Sequence, residues 1–309
     1  MPSRGETMKR IAFLIAVAVV LSGHSLFAAN QLKVVTATQD LASVTREVGG
    51  DRVDVTSIGR GYQDPHFIEP KPSFLLLLKN ADLLEVVGLE LEIGWLPPLL
   101  DQSRNNKIRP GQPGYLDLSQ GVEILDRPDV VNRSMGDVHP LGNPHYWLDP
   151  ANAVRIAIQV RNRLVQLRPA DTAYFDQRLQ NFKVRINDAN KRWMAQMAPY
   201  RGAKIVDYHP SLPNFAKHFA LDIAGTIEPK PGIPPSPSHT LEIINLIKAQ
   251  HIKAILMEPY FDRKTPDFIA AQTGAKVVVI FPSVGGKPGL DDYFKLFDYD
   301  ITELIKALK

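Results

Sequence analysis

The chain has 309 residues, a formal net charge of +3 and no cysteine. Without cysteine there are no disulfides, thiolate zinc sites or catalytic thiols. About two of the positive charges come from the stretch holding Arg4, Glu6, Lys9 and Arg10, so the rest is close to neutral and offers no electrostatic case for nucleic acid.

The first predicted element is a targeting segment. Lys9 and Arg10 precede an apolar run over residues 11–21, followed by Ser22, Gly23, His24 and Ser25 and a small-residue end at Ala28 and Ala29. This is the pattern of a secretory signal peptide, here residues 1–29 with cleavage near Ala28. The run is too short for a span, which needs about 20 residues. Export follows, and with no cysteine to carry a lipid the expected product is an unanchored periplasmic protein. Its remaining length exceeds the usual single domain and points to two.

Residues 30–168 form the first expected lobe. Leu32–Thr36 reads as a strand, residues 41–48 as a helix closed by Gly49 and Gly50, and residues 53–58 as a second strand. A helix opened by Pro72, a buried-type strand over 83–87 and a mixed segment over 95–100 follow. Residues 169–199 read as one long helix: Phe175, Leu179, Phe182, Ile186, Ala189, Trp193 and Met197 recur at spacings of three and four with no intervening glycine. At 1.5 Å per residue it is roughly 40 Å long, enough to run along both lobes and join them. In residues 200–309 the alternation resumes, with strands at Lys204–Asp207, 223–226, Ala254–Met257 and 277–281 and helices at 212–219, 240–249, 265–272 and 290–308. The predicted fold is α/β: two lobes, each a parallel-type sheet with flanking helices, joined by one long rigid helix.

Three histidines stand in look-alike settings: Asp64-Pro65-His66, Asn143-Pro144-His145 and Asp207-Tyr208-His209-Pro210. In α/β sheets ligands collect beyond the carboxyl ends of strands. His209, Glu258 and Ser283 each follow an apolar strand, His66 follows the strand over 53–58, and His145 precedes a helix beginning near Pro150. Together the histidines would form a nitrogen-rich metal site across an interlobe cleft. Each one alone reads more simply as a loop or core residue. His139, six residues before His145, is the competing candidate; His24 lies in the signal segment, and His218, His239 and His251 belong with helices.

Four stretches extend this reading: residues 64–73 followed by 80–90, residues 143–150, Tyr208-His209 with Phe215 and Phe219 beyond, and Met257-Glu258-Pro259-Tyr260-Phe261. In order, spacing and context they resemble the periplasmic zinc/manganese-binding component of metal ABC importers. The resemblance implies a cleft-bound metal with two ligands from each lobe, an ABC-type transmembrane permease as partner, and a protein acting as a monomer without enzymatic activity. By position His66 and His145 fall on the first lobe's histidines and His209 on the second lobe's first ligand. Where the family usually has an aspartate this chain has Ser283, a poor ligand, which leaves the fourth place to water or to Glu258.

Three imidazoles with one water or carboxylate suit Zn²⁺ better than Mn²⁺, which prefers oxygen-rich sites. A manganese-binding homologue, a metal-chelate binder using Tyr146, Trp147, Tyr208 and Tyr260, and a zinc hydrolase are the alternatives. For the last, the chain has no His-Glu-x-x-His, Gly-x-Ser-x-Gly or Gly-x-Gly-x-x-Gly motif.

Overall fold

The computed structural model describes residues 31–129 and 139–309. The predicted signal segment and part of the loop before His145 lie outside the described residues.

The first lobe is built on β1 (Leu32–Thr36), β2 (Val53–Ser57), β3 (Leu83–Val86) and β4 (Tyr115–Asp117), paired in the order β2-β1-β3-β4. The second repeats the plan with β5 (Lys204–Asp207), β6 (Asp222–Thr226), β7 (Ala254–Met257) and β8 (Lys276–Val279) in the order β6-β5-β7-β8. Every pairing is parallel. Parallel sheets are covered on both faces, which is why β3 and β7 are buried along their whole length.

The first lobe's helices are α1 (Gln39–Gly49), α2 (Pro72–Lys79), α3 (Leu96–Ser103) and α4 (Pro150–Leu167). Prolines open α2, α3 and α4, where a missing N–H costs nothing, and Asp149 caps α4 by accepting the Ala151 N–H at 2.8 Å. Next comes the long helix α5 (Thr172–Met197), 26 residues and so about 39 Å. Its seven buried side chains are the seven picked out by the spacing of apolar residues. Beyond it lie α6 (Pro213–Phe219), α7 (Pro237–Gln250), α8 (Lys264–Thr273) and α9 (Tyr293–Leu308).

Departures from the sequence reading have local causes. The segment expected as mixed around Trp95 is the helix α3, with its prolines in the first turn. Helix α7 begins three residues before the expected 240, because Ser236 accepts the His239 N–H at 3.2 Å and Pro237 sits in the first turn rather than in the loop. Strand β8 ends at Val279, and Phe281 N–H is instead taken at 3.0 Å by the buried Asp300. That turns the following segment toward the other lobe.

One continuous apolar cluster runs from Val34, Leu41 and Ile156 through the inner face of α5 to Phe215, Phe297 and Ile301. Helix α5 packs on α1 and α4 of one lobe and on α9 of the other. Two smaller clusters fill the far face of each sheet. The lobes therefore share a core through α5, while the carboxyl ends of both sheets meet at the cleft.

Candidate metal site

His66 and His145 are set by the same local device. The Asp64 Oδ1 accepts both the His66 backbone N–H, at 2.9 Å, and its ring Nδ1–H, at 2.6 Å. Asn143 Oδ1 does the same for His145, at 3.0 Å for each. An acidic or amide residue two positions before the histidine thus fixes backbone and tautomer together, the proline between them holding the turn. Asn143 in turn donates to the Pro210 carbonyl at 2.8 Å, tying this loop to the segment that follows His209.

His209 is held differently despite its similar setting. Asp207, two residues earlier, accepts the Leu212 N–H at 3.3 Å, and Glu228 Oε2, at the end of β6, takes the His209 Nδ1 at 2.8 Å. Burial draws the His209 pKa down, but the Glu228 hydrogen bond and the charges of Glu258, Glu228 and Asp64 outweigh it and raise it above the usual value. His145, fully buried beside the other imidazoles, is pushed well below it by desolvation and then by His66, His209 and His139.

With each Nδ1 engaged, the Nε2 atoms are left to face one another. The three histidines offer nitrogens that all lie within 4.8 Å of one another, and His145 Nε2 is buried without a hydrogen-bond partner. Ring centres are separated by 5.2 Å (His66–His145), 5.5 Å (His66–His209) and 5.7 Å (His145–His209). An imidazole bound at a Zn–N distance of about 2.0–2.1 Å has its centre roughly 3.2 Å from the ion, so tetrahedral neighbours stand about 5.2 Å apart. The chain's rings fit one face of such a tetrahedron.

The other candidates are placed as follows. Glu258 is not in the converging group; it is buried, one oxygen accepts the Ser211 hydroxyl, the other is unpartnered, and burial raises its pKa to about 7 against the opposing His209 charge and Ser211 bond. Ser283 is engaged elsewhere: its Oγ donates to Asp40 of α1, whose other oxygen accepts the Val284 N–H at 3.0 Å. His139 lies with its Nε2 3.0 Å from that of His66. Burial, with the charges of His66 and His209, lowers its pKa to about 4. His218 and His239 are engaged by Asn190, Asp149 and the Thr226 carbonyl, away from the cleft.

The aromatics are walls. Tyr146 OH donates to the Val87 carbonyl at 2.7 Å, Trp147 Nε1 to that of Pro282 at 2.8 Å, and Tyr208 stacks on Phe261 at 4.3 Å. Beside His145, the space bounded by Trp147, Tyr260 and Ser283 holds about one water.

The family model described as the periplasmic zinc-uptake complex component A, ZnuA, matches residues 34–307. The chain belongs to the ZnuA family. Among its relatives, the iron ABC transporter substrate-binding lipoprotein MtsA of Streptococcus pyogenes serotype M1 is 22% identical, with 96% of each chain covered. The manganese ABC transporter substrate-binding lipoprotein PsaA of Streptococcus anginosus is 21% identical over 100% of this chain and 99% of its own. A crystal structure of ZnuA has the same fold, with a TM-score of 0.76 and 24% identity over 91% of this chain and 100% of that one. The ZnuA match spans both sheets, α5 and every residue of the cleft discussed above.

The motifs show Asp64 and Asn143 beside their histidines but not that they hold the rings, and Glu228 is not marked by any motif. For the first two the signal was present, as an Asx residue at the same offset in both motifs. Glu228 lies 19 residues from His209, and only the pairing of β5 with β6 brings it there.

Proposed function

We propose that the protein captures a divalent transition metal ion, Zn²⁺ in the first place, in the periplasm and delivers it to an ABC-type permease, with no covalent chemistry. The observation that carries this reading is the convergence of His66, His145 and His209, each with one ring nitrogen anchored and the other turned inward. A buried polar nitrogen without a partner, such as His145 Nε2, costs about 1–3 kcal/mol, a penalty that a bound cation removes. Anchoring the far nitrogen is also how proteins orient metal-binding imidazoles.

The choice of zinc rests on donor chemistry. Imidazole nitrogen in a tetrahedral arrangement suits Zn²⁺, whereas Mn²⁺ favours more oxygen ligands. The family's description names zinc, while the relatives MtsA and PsaA are named for iron and manganese. Within this reading Glu228 anchors His209 from behind, and Glu258 lines the second lobe's side of the site.

Competition titration of Zn²⁺ against Mn²⁺ on metal-stripped protein tests the assignment. Zinc is expected to win; Mn²⁺ binding as tight as or tighter than Zn²⁺ would overturn the choice of metal, and failure of both to bind would overturn capture itself.

A further inference from the structure

We infer that His139 supplies the fourth ligand, so that the ion captured under the reading above is enclosed by four imidazoles, three from the first lobe and one from the second. Of the two candidates in the second lobe, Ser283 is committed to Asp40, and Glu258, one oxygen of which accepts from Ser211, lies outside the converging group. His139 is not only near the cluster but built like its members. Its Nε2 stands 3.0 Å from His66 Nε2, while its ring is hydrogen-bonded to the Leu89 carbonyl. The arrangement of one anchored nitrogen and one inward nitrogen is therefore repeated a fourth time.

Ring positions agree with this assignment. His139 is 5.1 Å from His66 and 6.3 Å from His145, centre to centre, against the ~5.2 Å expected of tetrahedral neighbours. The nitrogens that lie within 4.8 Å of one another are those of His66, His145 and His209, so His139 completes the set by moving inward. The anchoring carbonyl belongs to a turn just beyond β3 in which two non-glycine residues, Leu89 and Glu90, hold positive φ values of 53° and 66°. Backbone in that region is costly and tends to be kept where a site requires it. Here it aims a carbonyl at His139, and the outcome is an uncharged, all-nitrogen shell that disfavours Mn²⁺ and other oxygen-seeking cations.

X-ray absorption at the zinc edge of the zinc-loaded full chain reads the ligand count directly. Four imidazoles are expected in the natural protein and in Glu258→Gln, and three with one oxygen in His139→Ala, whose zinc affinity is expected to fall at least about tenfold. Three imidazoles and an oxygen in the natural protein would overturn the assignment of His139 while leaving metal capture standing. An unchanged spectrum and affinity in His139→Ala would do the same. A natural protein that takes up no zinc would overturn both, and His145→Ala, which loses the ion under either account, separates a weak fourth ligand from a failed site.

Discussion

The two lobes build the same sheet but reach the cleft by different means. In the first, His66 and His145 are each fixed by a residue two positions away, Asp64 and Asn143, so the donor and its support arrive together in one turn. In the second, His209 depends on Glu228, delivered by a neighbouring strand, with buried Asp207 and Glu258 behind it. The contrast separates two tasks. One lobe brings most of the nitrogen, together with Asp64, whose pKa burial would raise but the His66 hydrogen bond and charge lower; the other brings one nitrogen supported by Glu228, with Asp207 and Glu258 pushed toward their protonated forms by burial.

If donors come chiefly from the first lobe, removing the most enclosed of them has the largest effect. His145 is 1% exposed, and its Nε2 has no hydrogen-bond partner among the described residues. His145→Ala is expected to weaken zinc binding more than about 100-fold, beyond the 10–100-fold that loss of a supporting partner costs. Calorimetric titration of the stripped variant checks this, and an affinity within tenfold of the natural protein would remove His145 from the site.

The second lobe's contribution is read by Glu228→Gln, expected to cost about 10–100-fold in zinc affinity. It also carries a signature in protons. Because the folded pKa of His209 is raised and that of His145 lowered, a proton in the metal-free cleft sits on His209 in preference to His145. Zinc uptake there is expected to release about one proton, and calorimetry in buffers of different ionisation heat measures it. Without Glu228 the release falls. The sign for stability follows: the raised His209 pKa stabilises the metal-free fold below the unfolded value near 6.5 and loses that effect as pH rises through the folded pKa. A release unchanged in Glu228→Gln would break the division of labour between the lobes.

The same contrast explains what could be read from the chain. The alternation of strands and helices, and the stripe from Phe175 to Met197 that becomes the shared face of α5, follow from short-range periodicity. The histidine motifs of the first lobe were legible because their geometry is nearly complete within three residues. In the second lobe the resemblance of Asp207-Tyr208-His209 to those motifs misleads, since Asp207 turns to Leu212 and the true partner, Glu228, lies 19 residues away beyond β6. The start of α7 is likewise misplaced by three residues, because Ser236 caps a helix that Pro237 begins. The use of Ser283 was hidden for the same reason: its partner Asp40 is 243 residues away.

Asp40 sharpens the comparison at the seam, where the smallest change in metal affinity is expected. It lies on α1, accepts from Ser283 and Val284 of the other lobe, and touches no histidine of the cleft. Full burial raises its pKa from 3.8 to about 7, against the lowering effect of those hydrogen bonds. A carboxyl whose folded pKa is raised holds its proton in the native state while the unfolded chain releases it. The stability it contributes therefore declines between about pH 4 and pH 7, on the order of 2–4 kcal/mol across that window at roughly 1.4 kcal/mol per unit. Asp40→Asn keeps an oxygen for Val284 and has no proton to lose, so its unfolding free energy is expected to vary less with pH than that of the natural protein, while zinc affinity changes less than about threefold. Chemical denaturation of both proteins at pH 5 and pH 8 checks it. Parallel pH profiles would mean that Asp40 is ionised throughout, and a large loss of zinc affinity would mean that the seam and the ligand cluster act as one unit rather than two.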